Sequence, residues 1–288
     1  MGVQNRLGAQ LSKTLATIAP DQMARKLHNA YFFVGCGRSG TSWLARLLRS
    51  HKDIAGYPYE ANELWHPGAF PWALTDQRTR PFWADPHGFT QASLANRSAD
   101  DDRRLKAVFG AYQFAFRGKA FVNKSVMITF MVPKVLELFP GARFIHLFRD
   151  GRAVALSWAI RERAKIDGHR EPFRRFGLDL DRDMLLEKFA EHWTQHILEI
   201  ERQKEELDLV GRGLLHELRY EDLCADPAHE LTSIAQFMEL DPHRFATTEY
   251  SEIKDANAKY RKELPSSAIE RISSIMRPAL AIKHYPEG

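Results

Sequence analysis

Phe32-Phe33-Val34-Gly35-Cys36-Gly37-Arg38-Ser39-Gly40-Thr41-Ser42-Trp43-Leu44 decides how the rest of this 288-residue chain is read. The stretch follows Tyr31 in an apolar, β-prone run, the pattern of a parallel strand buried on both faces. Gly35, Gly37 and Gly40 then alternate with polar residues, and Trp43 to Leu48 has helical spacing. A strand, a glycine loop and a helix start aim backbone N–H groups and a helix dipole at one point, which suits a phosphate or another anion. Gly35 and Gly40 fit the Gly-x-x-x-x-Gly part of a P-loop, but Thr41 stands where the P-loop lysine belongs. A cation comes earlier, at Arg38. The loop is suited to an anion, but not in the manner of an ATPase.

Outward from this unit, a turn with a short strand is expected over 51–56, and strands at 119–123, 143–148 and 214–218. Helices are expected at 101–117, 132–138, 151–161, 184–207, 228–239 and after Pro265. Alternating strands and helices predict a single α/β domain with a mostly parallel central sheet flanked by helices. In such sheets ligands bind beyond the carboxyl ends of the strands. Gly35 to Ser42, Lys124-Ser125, Arg149 to Arg152 and Arg219 to Asp222 all follow strands, so they are expected to meet at one edge. Residues 1–28 form an arm, with Leu11, Leu15 and Ile18 as its helical stripe, ahead of a domain at 29–288. Residues 162–183, charged and carrying Gly168, Pro172 and Gly177, are expected to be a mobile loop. From Trp65 to Phe89 the chain is dense in aromatics and prolines (Phe70, Pro71 and Trp72 among them). This stretch is either a surface plug or the wall of a ligand pocket.

Composition narrows the classes. A hydrophobic content of 44% and a charged content of 27% are ordinary for a globular protein. A net charge of +4 suits a polyanionic ligand but is too mild for a nucleic-acid binder. Two cysteines, Cys36 and Cys224, cannot build a disulfide framework, which points to a reducing compartment. There is no apolar run of about 18 residues to cross a membrane. The expectation is a cytoplasmic protein without stable membrane insertion, its oligomeric state open.

Gly37-Arg38-Ser39-Gly40-Thr41-Ser42-Trp43-Leu44 after a strand resembles the 5′-phosphosulfate loop of sulfotransferases, P-loop-like enzymes that use 3′-phosphoadenosine 5′-phosphosulfate (PAPS) and release PAP. The arginine resembles the bacterial and tyrosylprotein branches more than the cytosolic one, which has lysine there. Arg143 to Ser157 is similar to the family's 3′-phosphate motif, an arginine after a strand and a serine eight residues on. Carried over, Arg149 and Ser157 hold the 3′-phosphate, while Gly37, Arg38, Ser39, Gly40, Thr41, Ser42 and Trp43 form the 5′ site. Lys124 resembles the lysine that touches the transferring sulfuryl group, and Tyr220 the aromatic against the adenine. Asn257, Lys259 and Arg261 resemble the segment that closes over the nucleotide.

The resemblance implies sulfuryl transfer to an acceptor hydroxyl or amine on a small molecule, glycan or lipid. Catalysis would come from positioning and charge stabilisation, with Arg38 and Lys124 among the catalytic groups and no metal required. Cytosolic members place a histidine base two residues after the strand-end lysine, where this chain has Val126. Members with the Arg-Ser-Gly-Thr loop use a glutamate after a His-x-x-(apolar) turn. Here that turn is His51 to Ile54, and Glu60 and Glu63 follow. Glu60 is the nearer match; in a helix over 60–66 both would face the site, with His66 a weaker candidate. A P-loop small-molecule kinase and a catalytically inactive nucleotide-binding scaffold are the alternatives.

Overall fold

A computed structural model describes residues 3–68, 80–168, 170–245 and 256–286. Phe70, Pro71 and Trp72 lie outside the described residues. In chain order the elements are α1 (Val3–Ile18), α2 (Pro20–Ala24), β1 (Ala30–Val34), α3 (Thr41–Leu48), β2 (Ile54–Gly56), α4 (Asn62–Trp65), α5 (Pro86–Ala95), α6 (Ala99–Phe116), β3 (Ala120–Asn123), α7 (Val132–Leu138) and β4 (Arg143–Phe148). There follow α8 (Gly151–Gly168), α9 (Arg170–Arg175), α10 (Arg182–Glu206), β5 (Leu215–Arg219), α11 (Tyr220–Ala225), α12 (Pro227–Phe237), α13 (Ala258–Glu263) and α14 (Ser266–Ile282).

The five strands form one sheet in the order β2-β3-β1-β4-β5, and every pairing is parallel. The apolar run of β1 explains its central place, because it must bury both faces. Phe32 and Val34 pack with Trp65, Phe109 and Phe139 on one side. Tyr31 and Phe33 pack with Leu44, Leu47 and Leu48 of α3 on the other. Register aligns Phe32 with Asn123 of β3 and with Phe144 of β4, so the loops leaving all three strands open at the same edge. After β1 the chain runs out to the edge strand β2 and returns through β3, then crosses to β4 on the opposite side of β1. That reversal makes a crevice above β1, the usual ligand position in an open parallel sheet.

Two expectations are corrected. Residues 162–183 are not a loop: α8 continues to Gly168 and α9 covers Arg170–Arg175, leaving a short connection to Asp181. Ile166 is fully buried, and Arg163–Asp167 and Lys165–Glu162 pair at helical spacing, which outweighs the terminal glycine. In α1 the inward face is Ala9, Ser12 and Ala16, with Leu15 half-buried, while Leu11 and Ile18 are exposed. Small residues are needed because α1 and α2 approach α6 closely. A Cβ on Gly8 would meet the Phe116 ring at 2.3 Å, and one on Gly110 would meet the Met23 carbonyl oxygen at 1.9 Å. The helix α5, not anticipated, had a visible start signal in Asp85-Pro86: the Asp85 side chain accepts from the Gly88 amide. Among the described residues no helix is long and apolar enough to cross a membrane.

Candidate active site

The loop after β1 is held in an unusual backbone shape. Gly35 (φ 109°) and Gly40 (φ 93°) are left-handed, and so is Arg38 (φ 70°), a strained conformation for a side-chain-bearing residue. Gly35 is further fixed by its amide, which donates to Thr129 Oγ at 2.8 Å. A Cβ on Gly40 would meet the Tyr220 ring at 2.7 Å, so glycine is required there on two counts. Gly40 caps α3 without a side chain, and no acidic residue occupies the first turn. The unclaimed first-turn amides are therefore available to an anion.

Beside this loop opens a cleft of about 570 Å³, lined by Arg38, Gly40 to Trp43, Arg46, Arg149, Ser157, Arg161, Tyr220 and Lys259. Arg149, at the end of β4, is buried. Its Nε donates to Asn257 Oδ1 at 2.7 Å, and its guanidinium lies 4.2 Å over the Tyr220 ring. Asn257 is oriented in turn by donating to Glu221 Oε1 at 2.6 Å. Arg38 reaches across the cleft, its Nε donating to Ser157 Oγ at 3.0 Å. Burial, and then the like charges of Arg161 and Arg149, lower the Arg38 pKa from its ordinary value. Positive charge is thus crowded here, a balance that a bound polyanion reverses.

A smaller pocket of about 290 Å³ adjoins this cleft and shares Arg38, Thr41, Ser42 and Arg161 with it. Its other lining residues include Glu60, Lys124, Phe82, Val126, Met127, Trp158, His192 and His196. Lys124 Nζ forms an ion pair with Glu60 and donates to Ser42 Oγ at 3.2 Å. Glu60 also accepts from Asn62 Nδ2 at 3.1 Å. The junction of the two spaces therefore carries a carboxylate, an ammonium, a hydroxyl and a guanidinium.

The structure brings Gly37, Arg38, Gly40, Thr41, Ser42, Trp43, Arg149, Ser157, Tyr220, Lys259, Lys124 and Glu60 to these two spaces. Ser39 is buried beneath the loop, its hydroxyl without a hydrogen-bond partner. Three candidates stand elsewhere. The helix expected over 60–66 begins only at Asn62, after Ala61 turns left-handed at φ 57°, so Glu60 and Glu63 do not share a face. Glu63 points to α1 instead, 3.2 Å from Lys13 Nζ. His66 is buried against Ser93 Oγ at 2.8 Å, and burial followed by the nearby Arg97 charge lowers its pKa to about 3. Arg261 is exposed, 4.9 Å over the Tyr260 ring, and lines neither space; Asn257 positions Arg149 from behind.

Several lining residues were missed. Ala153, Leu156, Ile160 and Arg161 line the cleft from α8 with Ser157; Ala153, Ile160 and Arg161 stand three or four residues from Ser157, the spacing that finds them, and Leu156 stands three and four residues from Ala153 and Ile160. His192 and His196, likewise one turn apart on α10, carry a comparable signal. Burial lowers both their pKa values, that of His196 to about 4. Phe82 resolves the aromatic stretch in part: it walls the smaller pocket, whereas Trp65 is a core residue whose Nε1 donates to Asn123 Oδ1.

Comparison with known proteins bears on the family. Omega-hydroxy-beta-dihydromenaquinone-9 sulfotransferase Stf3 of Mycobacterium bovis is 31% identical over 125 residues, 43% of this chain and 30% of that protein; the Mycobacterium tuberculosis protein of the same name matches equally. The chain thus spans under a third of the length of these relatives. Among solved structures, sulfotransferase STF9 from Mycobacterium avium superposes over 96% of this chain and 82% of its own (TM-score 0.58, 14% identity). A sulfotransferase from Alicyclobacillus acidocaldarius does so over 89% and 96% (TM-score 0.53, 18% identity). These two share the fold. Residues 31–244 match the sulfotransferase family as a whole, and with the greater part of its length so matched the chain belongs to that family.

Proposed function

We propose that this protein transfers a sulfuryl group from PAPS to an acceptor hydroxyl, by in-line displacement with a carboxylate base. The observation that carries the reading is the junction of a cation-rich cleft with a smaller pocket of mixed polar and apolar lining, at Arg38, Thr41, Ser42, Lys124 and Glu60. The cleft takes the nucleotide, with the 5′ phosphosulfate on the 35–42 loop and the 3′-phosphate between Arg149 and Ser157. The acceptor occupies the smaller pocket. Glu60 takes the acceptor proton as oxygen attacks sulfur, and the bond from sulfur to the bridging phosphate oxygen breaks. Lys124, now beside the developing negative charge, stabilises the leaving PAP. Phosphoryl transfer is the nearest chemical analogue, and there too positioning and charge do most of the catalysis.

Phe82, Val126, Met127 and Trp158 give this pocket an apolar side, which suits an acceptor hydroxyl carried on a small molecule or lipid. Stf3, by its name, acts on an omega-hydroxylated dihydromenaquinone, which is an acceptor of that class. The lysine needed for a kinase is replaced by Thr41. The test is incubation with sulfur-labelled PAPS and an extract of apolar metabolites, followed by mass spectrometry. Label on a hydroxylated apolar compound is the expected result; label only in free sulfate, with and without extract, opposes the assignment. Transfer from ATP instead of PAPS would establish the kinase reading.

A further inference from the structure

At the floor of the smaller pocket lies a group of side chains that the transfer chemistry does not use. Cys36, 1% exposed, stands between Gly35 and Gly37 at the end of β1. His192 and His196, 2% and 0% exposed, face it from α10. His196 Nδ1 lies 2.9 Å from the His192 carbonyl, which can only accept, so Nδ1 carries the hydrogen. The His196 lone pair is therefore on Nε2, and both His196 Nε2 and His192 Nδ1 are buried without a hydrogen-bond partner. One donor atom from each of Cys36, His192 and His196 lies within 4.8 Å of the others.

Two buried imidazoles beside a thiol, each with an unpartnered ring nitrogen and one with its other N–H held by a backbone carbonyl, form a recurring ligand arrangement for metal ions. We propose that Cys36, His192 and His196 bind a thiophilic cation of the zinc(II) class. Ligand bonds of about 2.0–2.3 Å set tetrahedral ligands about 3.5 Å apart, so closing the site takes about an ångström of side-chain movement shared among three residues. Two nitrogens and one sulfur suit zinc(II) with a fourth position open. His192 and His196 also line the smaller pocket. Binding replaces the Cys36 S–H bond by an S–metal bond and releases one proton to solvent, with no change of oxidation state. The ion ties the 35–42 loop to α10 and so stiffens the wall between the two spaces. This inference needs only the residues named and does not depend on the acceptor.

The test uses the full chain, stripped with a chelator and titrated with zinc(II) against a chromophoric competitor, with cobalt(II) as the spectroscopic probe. The expected result is one tight equivalent, one proton released, and a sulfur-to-cobalt charge-transfer band. Cys36→Ser is expected to lose that band and to weaken zinc binding by at least about 100-fold, the upper end of what losing a supporting partner alone does. His196→Gln is expected to weaken zinc binding similarly, with PAP binding in both metal-free variants reporting that the fold is kept. Should either variant fail to fold, His192→Gln replaces it. Absence of a tight equivalent in the wild type overturns the site. So does equal zinc affinity in the wild type and the folded variants, since that is binding by other histidines.

Discussion

Glu60 and Lys124 hold each other at the mouth of the smaller pocket, and neither is fully exposed (30% and 15%). In the proposed reaction this pairing would hold the carboxylate for the acceptor proton and the ammonium for the leaving oxygen. Glu60→Gln is expected to retain PAP binding and to lose about 10²–10⁴-fold in turnover, the usual share of general base catalysis. Glu63→Gln is the matched control: its carboxylate faces Lys13, and near-wild-type turnover is expected. Steady-state rates with PAP titrations on both variants decide the assignment, and a Glu63 effect larger than the Glu60 effect reverses it. Lys124→Ala is expected to lower kcat more than PAP affinity, because its charge is used chiefly as negative charge builds on the bridging oxygen. Proportional losses in both would make it a ground-state anchor instead. Sequence spacing favoured Glu60 but placed both glutamates on one helix face. What separates them in space is the left-handed turn at Ala61, a backbone feature with no glycine to announce it.

At the scale of elements, the sheet was legible wherever the apolar period was strong. The β1 and β4 runs are buried on both faces, and their boundaries differ from expectation by at most a residue. It was less legible where packing overrode local signals, as in the glycine-terminated end of α8 or the small-residue face of α1. Neither helix has an apolar stripe that reports its partner. Charge buried between elements gives a test of its own. Glu217 on β5 bonds His146 of β4 at 2.8 Å, Lys204 of α10 at 2.6 Å, and Lys283 just beyond α14 at 2.6 Å. Burial alone would raise the Glu217 pKa, but His146, Lys283 and Lys204 outweigh it and hold the carboxyl well below its ordinary 4.5. A depressed carboxylate contributes stability above that ordinary value and loses it as pH falls toward the folded one. Buried His66, lowered to about 3 from 6.5, acts with the same sign and sets in sooner, because unfolding lets it charge below 6.5. Stability is therefore expected to decline as pH drops below about 6.5, and to steepen below about 4.5. Glu217→Gln is expected to cost about 3 kcal/mol at neutral pH, the low end for breaking a buried pair, since Glu201 still faces both lysines. It is also expected to lessen the steepening. Denaturant melts across this pH range check both, and an unchanged acid slope in the variant would remove Glu217 from the account.

Over the whole molecule, the sequence indicated that four strand-end segments meet, because parallel strands present their carboxyl ends together. It did not indicate what the smaller pocket is made of. Phe82, Met127, Trp158, His192 and His196 come from segments far apart in the chain, and only the packing of α8 and α10 across the sheet joins them. The meeting of Arg38, Arg149, Arg161 and Lys259 around one cleft is likewise a whole-fold property. A bound polyanion relieves that crowding, so PAP is expected to stabilise the fold by about 2.7 kcal/mol at a hundredfold excess over its Kd. The effect should weaken with added salt. The most direct test is a calorimetric titration of PAP into the wild type and into Arg149→Ala. Binding of one equivalent by the wild type is expected, weakened by about 1.5–3 kcal/mol in the variant, the range for hydrogen bonds to a charged group. A wild-type protein that takes up no PAP would contradict the account at its centre.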